Sequence, residues 1–192
     1  MNAIHLRKRL AVGAVAGLAV VGGVVGLSAY AAPGTEAEPI DAVTVAEVQE
    51  GGVRGASALT HEAALAVLDA AQDKAAELDQ RVTVAIVDRS GNTVAMVQGD
   101  GAGPQSPDSA EAKAYTAVSW GRATSDLTEA AEGEGEGATI ADIPGTLFLA
   151  GGVPVVYDGA PIAGIGVGGA PSGDIDEEIA LAGLAALENL DG

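Results

Sequence analysis

The sequence predicts an α+β domain: a five-stranded antiparallel sheet with packed helices, in the order α-β-β-α-(α)-β-β-β-α. Two observations carry that expectation. Apolar residues recur at helical spacing in three separate stretches, Ala64 to Leu78, Ala110 to Val118 and Ile179 to Leu187. Between them lie runs of period two joined by short turn sequences, Asp88-Arg89-Ser90-Gly91-Asn92 and Asp158-Gly159. Such turns connect antiparallel neighbours, so the strands form hairpins rather than βαβ crossovers.

The first helix opens at Leu59-Thr60-His61-Glu62, where Thr60 fits an N-cap and Glu62 lies in the first turn, favourable at the positive helix end. After Asp79-Gln80 the period switches, and Val82, Val84 and Ile86 alternate with Thr83, Ala85 and Val87. Thr93 to Gln98 is the returning strand. Ser106 with Pro107 marks the next helix start, because proline is tolerated at the first helical position, and Gly121 marks its end. On that helix Ala110, Ala114, Ala117 and Val118 share a face, with Thr116 and Ser119 opposite and Lys113 and Trp120 along a flank. Thr116 is therefore expected to face a pocket or a neighbouring subunit.

Thr124-Ser125-Asp126 caps a further short helix that runs into the Glu132 to Gly137 Gly-Glu repeat, read as a surface insertion. Thr146 to Ala150, Val153 to Tyr157 and Pro161 to about Gly168 then make a three-strand meander. Ser172 or Asp174 caps the closing helix, whose first turn carries Asp174, Asp176, Glu177 and Glu178. These acids suit the positive end of a helix, and the ligand spacing of a calcium loop is missing. That helix is apolar nearly all round, which implies a subunit contact. By analogy of element order, the domain is of the profilin-like or PAS-like kind.

Composition narrows the function classes. The 192 residues contain no cysteine, so disulfides and thiolate metal sites are excluded. A net charge of −18 repels phosphate backbones, and with only 3% aromatic residues there are no base-stacking platforms; nucleic acid is not an expected partner. Arg7, Lys8 and Arg9 precede an uncharged apolar run from Leu10 to Leu27, and Ala29-Tyr30-Ala31 supplies the small residues of a cleavage site. Residues 1–31 therefore read as an export signal, with a retained membrane anchor as the rival. Residues 32–58 read as an acidic flexible linker and 59–192 as the domain.

Gly164-Ile165-Gly166-Val167-Gly168-Gly169 matches the dinucleotide fingerprint, but one helix follows and no second parallel strand can, so the glycines imply close approach of a helix or another subunit to bare main chain. His61 is the only histidine outside the export signal, which removes histidine-based zinc motifs.

The segments LTHEAALAVLDAAQDKAAEL, VTVAIVDRSGNTVAMV, KAYTAVSWGRATSDL and PGTLFLAGGVPVVYDGAPIAGIGVGGAPSGDIDEEIALAGLAAL resemble the GlcG/HbpS family, the haem-degrading domain family also called DUF336. The resemblance spans Leu59 to Leu187 and is most specific from Pro144 to Gly173. It implies a profilin-like fold, a homo-oligomer and, for a secreted member, haem binding with a role in haem or iron handling or redox sensing. Carried onto this chain, the haem contact falls on Lys113-Ala114-Tyr115-Thr116, with Thr116 the favoured residue near the iron and Thr124 the second choice. Tyr115 or His61 would give a stronger iron bond than a neutral hydroxyl, and Lys113 or Arg122 would pair with propionates. Two alternatives accompany this reading: an enzyme acting on haem or a small oxidised acid, and an interaction module for a membrane sensor protein.

Overall fold

The computed structural model describes residues 54–132 and 139–190. The expected export signal, most of the acidic linker and the Gly-Glu repeat after Glu132 lie outside the described residues. The elements run α1 (His61–Glu77), β1 (Thr83–Asp88), β2 (Thr93–Gln98), α2 (Ser106–Trp120), α3 (Thr128–Glu132), β3 (Gly152–Tyr157), β4 (Ala160–Gly168) and α4 (Gly173–Ala186). The strands form one antiparallel sheet in the order β2-β1-β4-β3. None of the longer helices needs an exotic start. Thr60 and Ser172 accept hydrogen bonds from the backbone N–H groups three residues on, and α2 ends on left-handed Gly121.

Both hairpin turns form as their residues dictate. Asp88 accepts from the backbone N–H groups of Ser90 and Asn92, at 2.8 and 2.9 Å, fixing the β1–β2 turn. Asp158 and Gly159 take positive φ values of 49° and 74°, as a tight two-residue hairpin requires.

The sheet has four strands among the described residues, not the expected five. Thr146 to Ala150 runs alongside α2 without joining the sheet, because threonine side chains take its backbone groups. Leu147 N–H donates to Thr116 Oγ1 at 2.8 Å, and Thr124 Oγ1 donates to Leu149 O at 2.6 Å. Hydroxyls thus take the Leu147 N–H and the Phe148 and Leu149 carbonyls, groups that a strand partner would otherwise bond. Phe148 fixes it further by an edge-on contact with Trp120, ring centroids 5.2 Å apart.

Strand alternation sorts the interior into two faces. Val84 and Ile86 of β1, Ile165 and Val167 of β4 and Val153 and Val155 of β3 meet Val67, Leu68 and Ala71 of α1 and Ile179 and Ala180 of α4. The opposite face carries Thr83, Ala85 and Val87 of β1 and Gly164, Gly166 and Gly168 of β4, and α2 lies on it. A Cβ at Gly164 would collide with the backbone carbonyl oxygen of Ala114, and one at Gly166 with that of Ala110. The alternating glycines are thus the seat of α2, which is the helix-packing sense of the fingerprint-like run.

Candidate functional site

Residues brought together at α2 include all but one of the sequence-predicted candidates, yet in unequal states. Thr116 is fully buried. Its hydroxyl donates to Ala112 O at 2.8 Å and accepts from Leu147 N at 2.8 Å. It therefore faces the chain's own 146–150 segment, not an open pocket as the helical wheel suggested. The wheel places a residue by angle; it cannot know that a connecting segment covers that side. Thr124 is buried likewise, donating to Leu149 O and accepting from Gly152 N at 2.9 Å.

Lys113 is the larger surprise. On the flank where the helical wheel put it, its ammonium is not free for propionates: only 3% of it is exposed. Its Nζ donates to Asp176 Oδ2 at 2.7 Å and to Val167 O at 3.0 Å. Asp176, also 3% exposed, accepts from Ala170 N–H through Oδ1 at 3.0 Å. Burial pushes the Asp176 carboxyl above its ordinary range, against the opposing pull of the Lys113 ammonium. Asp176 was expected as one of several acids favoured by the helix dipole; it is instead half of a buried ion pair linking α2 to α4. The available signal was positional. Ala110, Lys113, Ala114 and Ala117 stand at i, i+3, i+4 and i+7, so the lysine belongs to the buried stripe.

Gly151 completes this arrangement. A Cβ there would lie 2.8 Å from Lys113 Nζ and 2.7 Å from Asp176 Cβ, so only glycine leaves the pair its space. Next to it, Glu177 accepts from Gly151 N–H at 3.2 Å and from Ser125 Oγ at 2.7 Å. The pair borders a cleft of about 490 Å³ whose lining includes Ser109, Thr128, Ala150 and Ser172.

The remaining candidates keep open chemistry. Tyr115 is half-buried on α2, its ring against Gly91 and Gly145, and it lines a separate cleft of about 460 Å³ with Val87, Ala112 and Pro144. No hydrogen bond to its hydroxyl occurs among the described residues. Asp108 and Glu111 stand at the same cleft. Arg122 donates one hydrogen bond to Asp126 O at 3.1 Å and leaves its other guanidinium donors exposed. His61 projects from the first turn of α1 beside Glu62, its side chain 83% exposed, away from the α2 cluster. Among the described residues no group of three or more His, Cys, Asp or Glu is placed to hold a metal ion.

With this geometry in hand, residues 59–185 match the family described as haem degrading protein HbpS-like. The chain belongs to the HbpS-like family. Among solved structures it is similar to a crystal structure of HbpS, at 52% identity over 74% of this chain and 99% of that one, with a TM-score of 0.70. A double mutant of Streptomyces reticuli HbpS gives 51% identity over 76% and 98% of the two chains, with a TM-score of 0.71. A complex of PduOC with haem is similar at 29% identity over 68% of this chain and 95% of that one, with a TM-score of 0.61. A 15.0 kDa Citrobacter freundii protein of uncharacterised role, from the dhaT-dhaS intergenic region, is 32% identical over 66% of this chain and 89% of its own length.

Proposed function

We propose that this HbpS-like chain is a secreted, oligomeric haem-binding protein that takes part in haem or iron handling or redox sensing. The observation that carries the reading is the family match over residues 59–185, joined by the likeness to a PduOC structure solved with haem. Export is the part of the proposal that rests on residues 1–31, and the oligomer rests on the apolar exterior of α4, where Leu181 is 49% exposed.

The donor chemistry on α2 fits haem in one way and not another. Thr116, Thr124 and Lys113 have their polar atoms engaged by the chain itself, so using them would mean opening the buried interior. Tyr115 fits: a tyrosine oxygen is an accepted ligand of haem iron, and its cleft offers the apolar surfaces of Ala112 and Pro144 to a flat macrocycle. Arg122, just past the Gly121 end of α2, would pair with a propionate, while the Asp108 and Glu111 carboxylates at the cleft would repel one. Haem would supply the redox-active iron; the chain supplies the ligand oxygen, the apolar wall and the charge pattern that orients it.

Titrating the purified protein with hemin should produce a Soret band distinct from free hemin. Tyr115→Phe should weaken or shift it, and Arg122→Ala should weaken it less. Absence of any bound Soret band at micromolar hemin would remove the haem reading. A band unchanged in Tyr115→Phe would move the ligand elsewhere, His61 being the next candidate. Amino-terminal sequencing of protein recovered outside the cell should begin at Ala32 if export proceeds by cleavage there.

A further inference from the structure

The two edges of the sheet are finished differently. On β3 the outward backbone groups are taken or missing. Gly152 N–H donates to Thr124 Oγ1 at 2.9 Å, Gly152 O accepts from Thr124 N–H at 2.9 Å, and Pro154, the next residue turned outward, has no N–H to offer. On β2 the edge is open. Gly99 N–H donates to Val82 O at 2.9 Å, so by the alternation of an antiparallel ladder the Val84–Val97 and Ile86–Ala95 pairs exchange hydrogen bonds. Met96 and Gln98 therefore turn their backbone N–H and C=O groups away from β1, and no hydrogen bond to those groups occurs among the described residues. Val97 stands between them, 40% exposed. Edge strands are commonly blunted by charged side chains or proline, and β2, Thr93–Gln98, carries neither. Its register shift lies opposite Val94, at its start, and leaves Ala95 to Gln98 regular.

We propose that the β2 edge is the seat of a second copy of this chain, the two β2 strands pairing antiparallel about a two-fold axis at Val97. This rests on the oligomer proposed above and gives that oligomer a contact of its own on the sheet edge. In this register Met96 of one copy stands opposite Gln98 of the other, and each outward N–H meets an outward C=O. Val97 meets its own counterpart in the closely spaced, non-hydrogen-bonded position, where side chains approach best, and its exposed surface is covered. The charges favour a second copy as the occupant. With a net charge of −18 the chain repels itself on most approaches, whereas Ala95 to Gly99 carry no charge and set no like charges against one another. The outward groups of Met96 and Gln98 are also their own complement under the two-fold, as an isologous interface requires.

The chain has no cysteine, so a single introduced thiol reports on one position. Under mild oxidation Val97→Cys should give a disulfide-linked dimer, because facing Cα atoms at such a position stand about 4.5 Å apart, within the span of a disulfide. Tyr157→Cys, at the end of the blocked β3 edge and 63% exposed in the wild type, is the collision control. Cross-linking of Val97→Cys in several-fold excess over Tyr157→Cys is the expected result. No cross-link at position 97, or equal extents at the two positions, overturns the proposal. Met96→Pro removes an outward N–H and spares the ladder to β1. By sedimentation the folded variant should have half the wild-type mass, and a folded variant of unchanged mass also overturns the proposal. The cross-link decides the matter even if Met96→Pro fails to fold. A wild-type oligomer without the cross-link removes the β2 contact alone, whereas a wild-type monomer removes the oligomer with it. Hemin plays no part in either measurement, so the haem reading stands or falls separately.

Discussion

The two faces of the sheet are packed by opposite means. Toward α1 and α4 the strands present Val and Ile, and contact is made through side chains that interlock over a continuous apolar core. Toward α2 the central strand β4 presents three glycines, and contact is made through bare backbone. The first face derives its stability from apolar area, about 1.5–3 kcal/mol for each large side chain taken out of water. The second gains little area per residue and gains closeness instead. That closeness is what sinks Lys113 into the interior and brings it to Asp176 across the end of β4. A face built of side chains can adjust to a lost methyl group; a face built of backbone cannot adjust to a gained one.

The sharpest way to break this contrast is to add atoms on the α2 face. Gly166→Val should abolish soluble folded protein, since its Cβ would occupy the space of the Ala110 carbonyl and the Ala114 N–H; expression and circular dichroism would show it. A folded, native-like Gly166→Val would mean that α2 can lift from the sheet. Next in size is the ion pair. Lys113→Met should cost about 3–5 kcal/mol in chemical denaturation, because Asp176 is left buried and unpaired. The double variant Lys113→Met, Asp176→Leu should recover most of that loss, and a double variant no better than the single would show the charges themselves to be needed for folding.

On the other face, removal of atoms should be tolerated. Ile165→Val is expected to lower stability by only about 0.5–1.5 kcal/mol, read from the shift in denaturation midpoint. A loss as large as that of the ion-pair variant would erase the distinction drawn between the two faces. Smallest is the effect at the β1–β2 turn, off both faces. Hydrogen bonds from Asn92 first, then Ser90 and Gly91, hold the Asp88 carboxyl below its ordinary range. The native value lies below the unfolded one, so its contribution is present above the unfolded pKa, about 3.9, and is lost as pH falls through the native value. Thermal melts should therefore show a drop in midpoint below about pH 4 that is shallower in Asp88→Asn; equal slopes would place the acid sensitivity elsewhere.

Much of this fold was legible in the chain because its signals are local. Thr60 and Ser172 cap helices, Gly121 ends one, and Asp158-Gly159 turns a hairpin for reasons that involve only a few neighbouring atoms. Hydrophobic periodicity likewise placed α1, α2, α4 and four strands. The fifth strand failed at Thr146 to Ala150 because Thr116 and Thr124, 31 and 25 residues from their partners in sequence, take hydrogen bonds of its backbone. No property of the segment itself announces that.

The candidate site divides in the same way. The family resemblance pointed to α2 and to haem chemistry, and Tyr115 stands there with no hydrogen bond to its hydroxyl among the described residues. Burial, which decides what a side chain is free to do, depends on partners 25 to 63 residues distant: Thr124 with Leu149, Thr116 with Leu147, Lys113 with Asp176. The sequence by itself determined three long helices, four strands, the caps, the turns and the family, since each rests on local pattern and motif. Only the tertiary structure decided that a lysine read as a surface cation and an acid read as a helix-end charge are one buried pair, because the attraction between them exists only once β4's glycines let α2 come down onto the sheet.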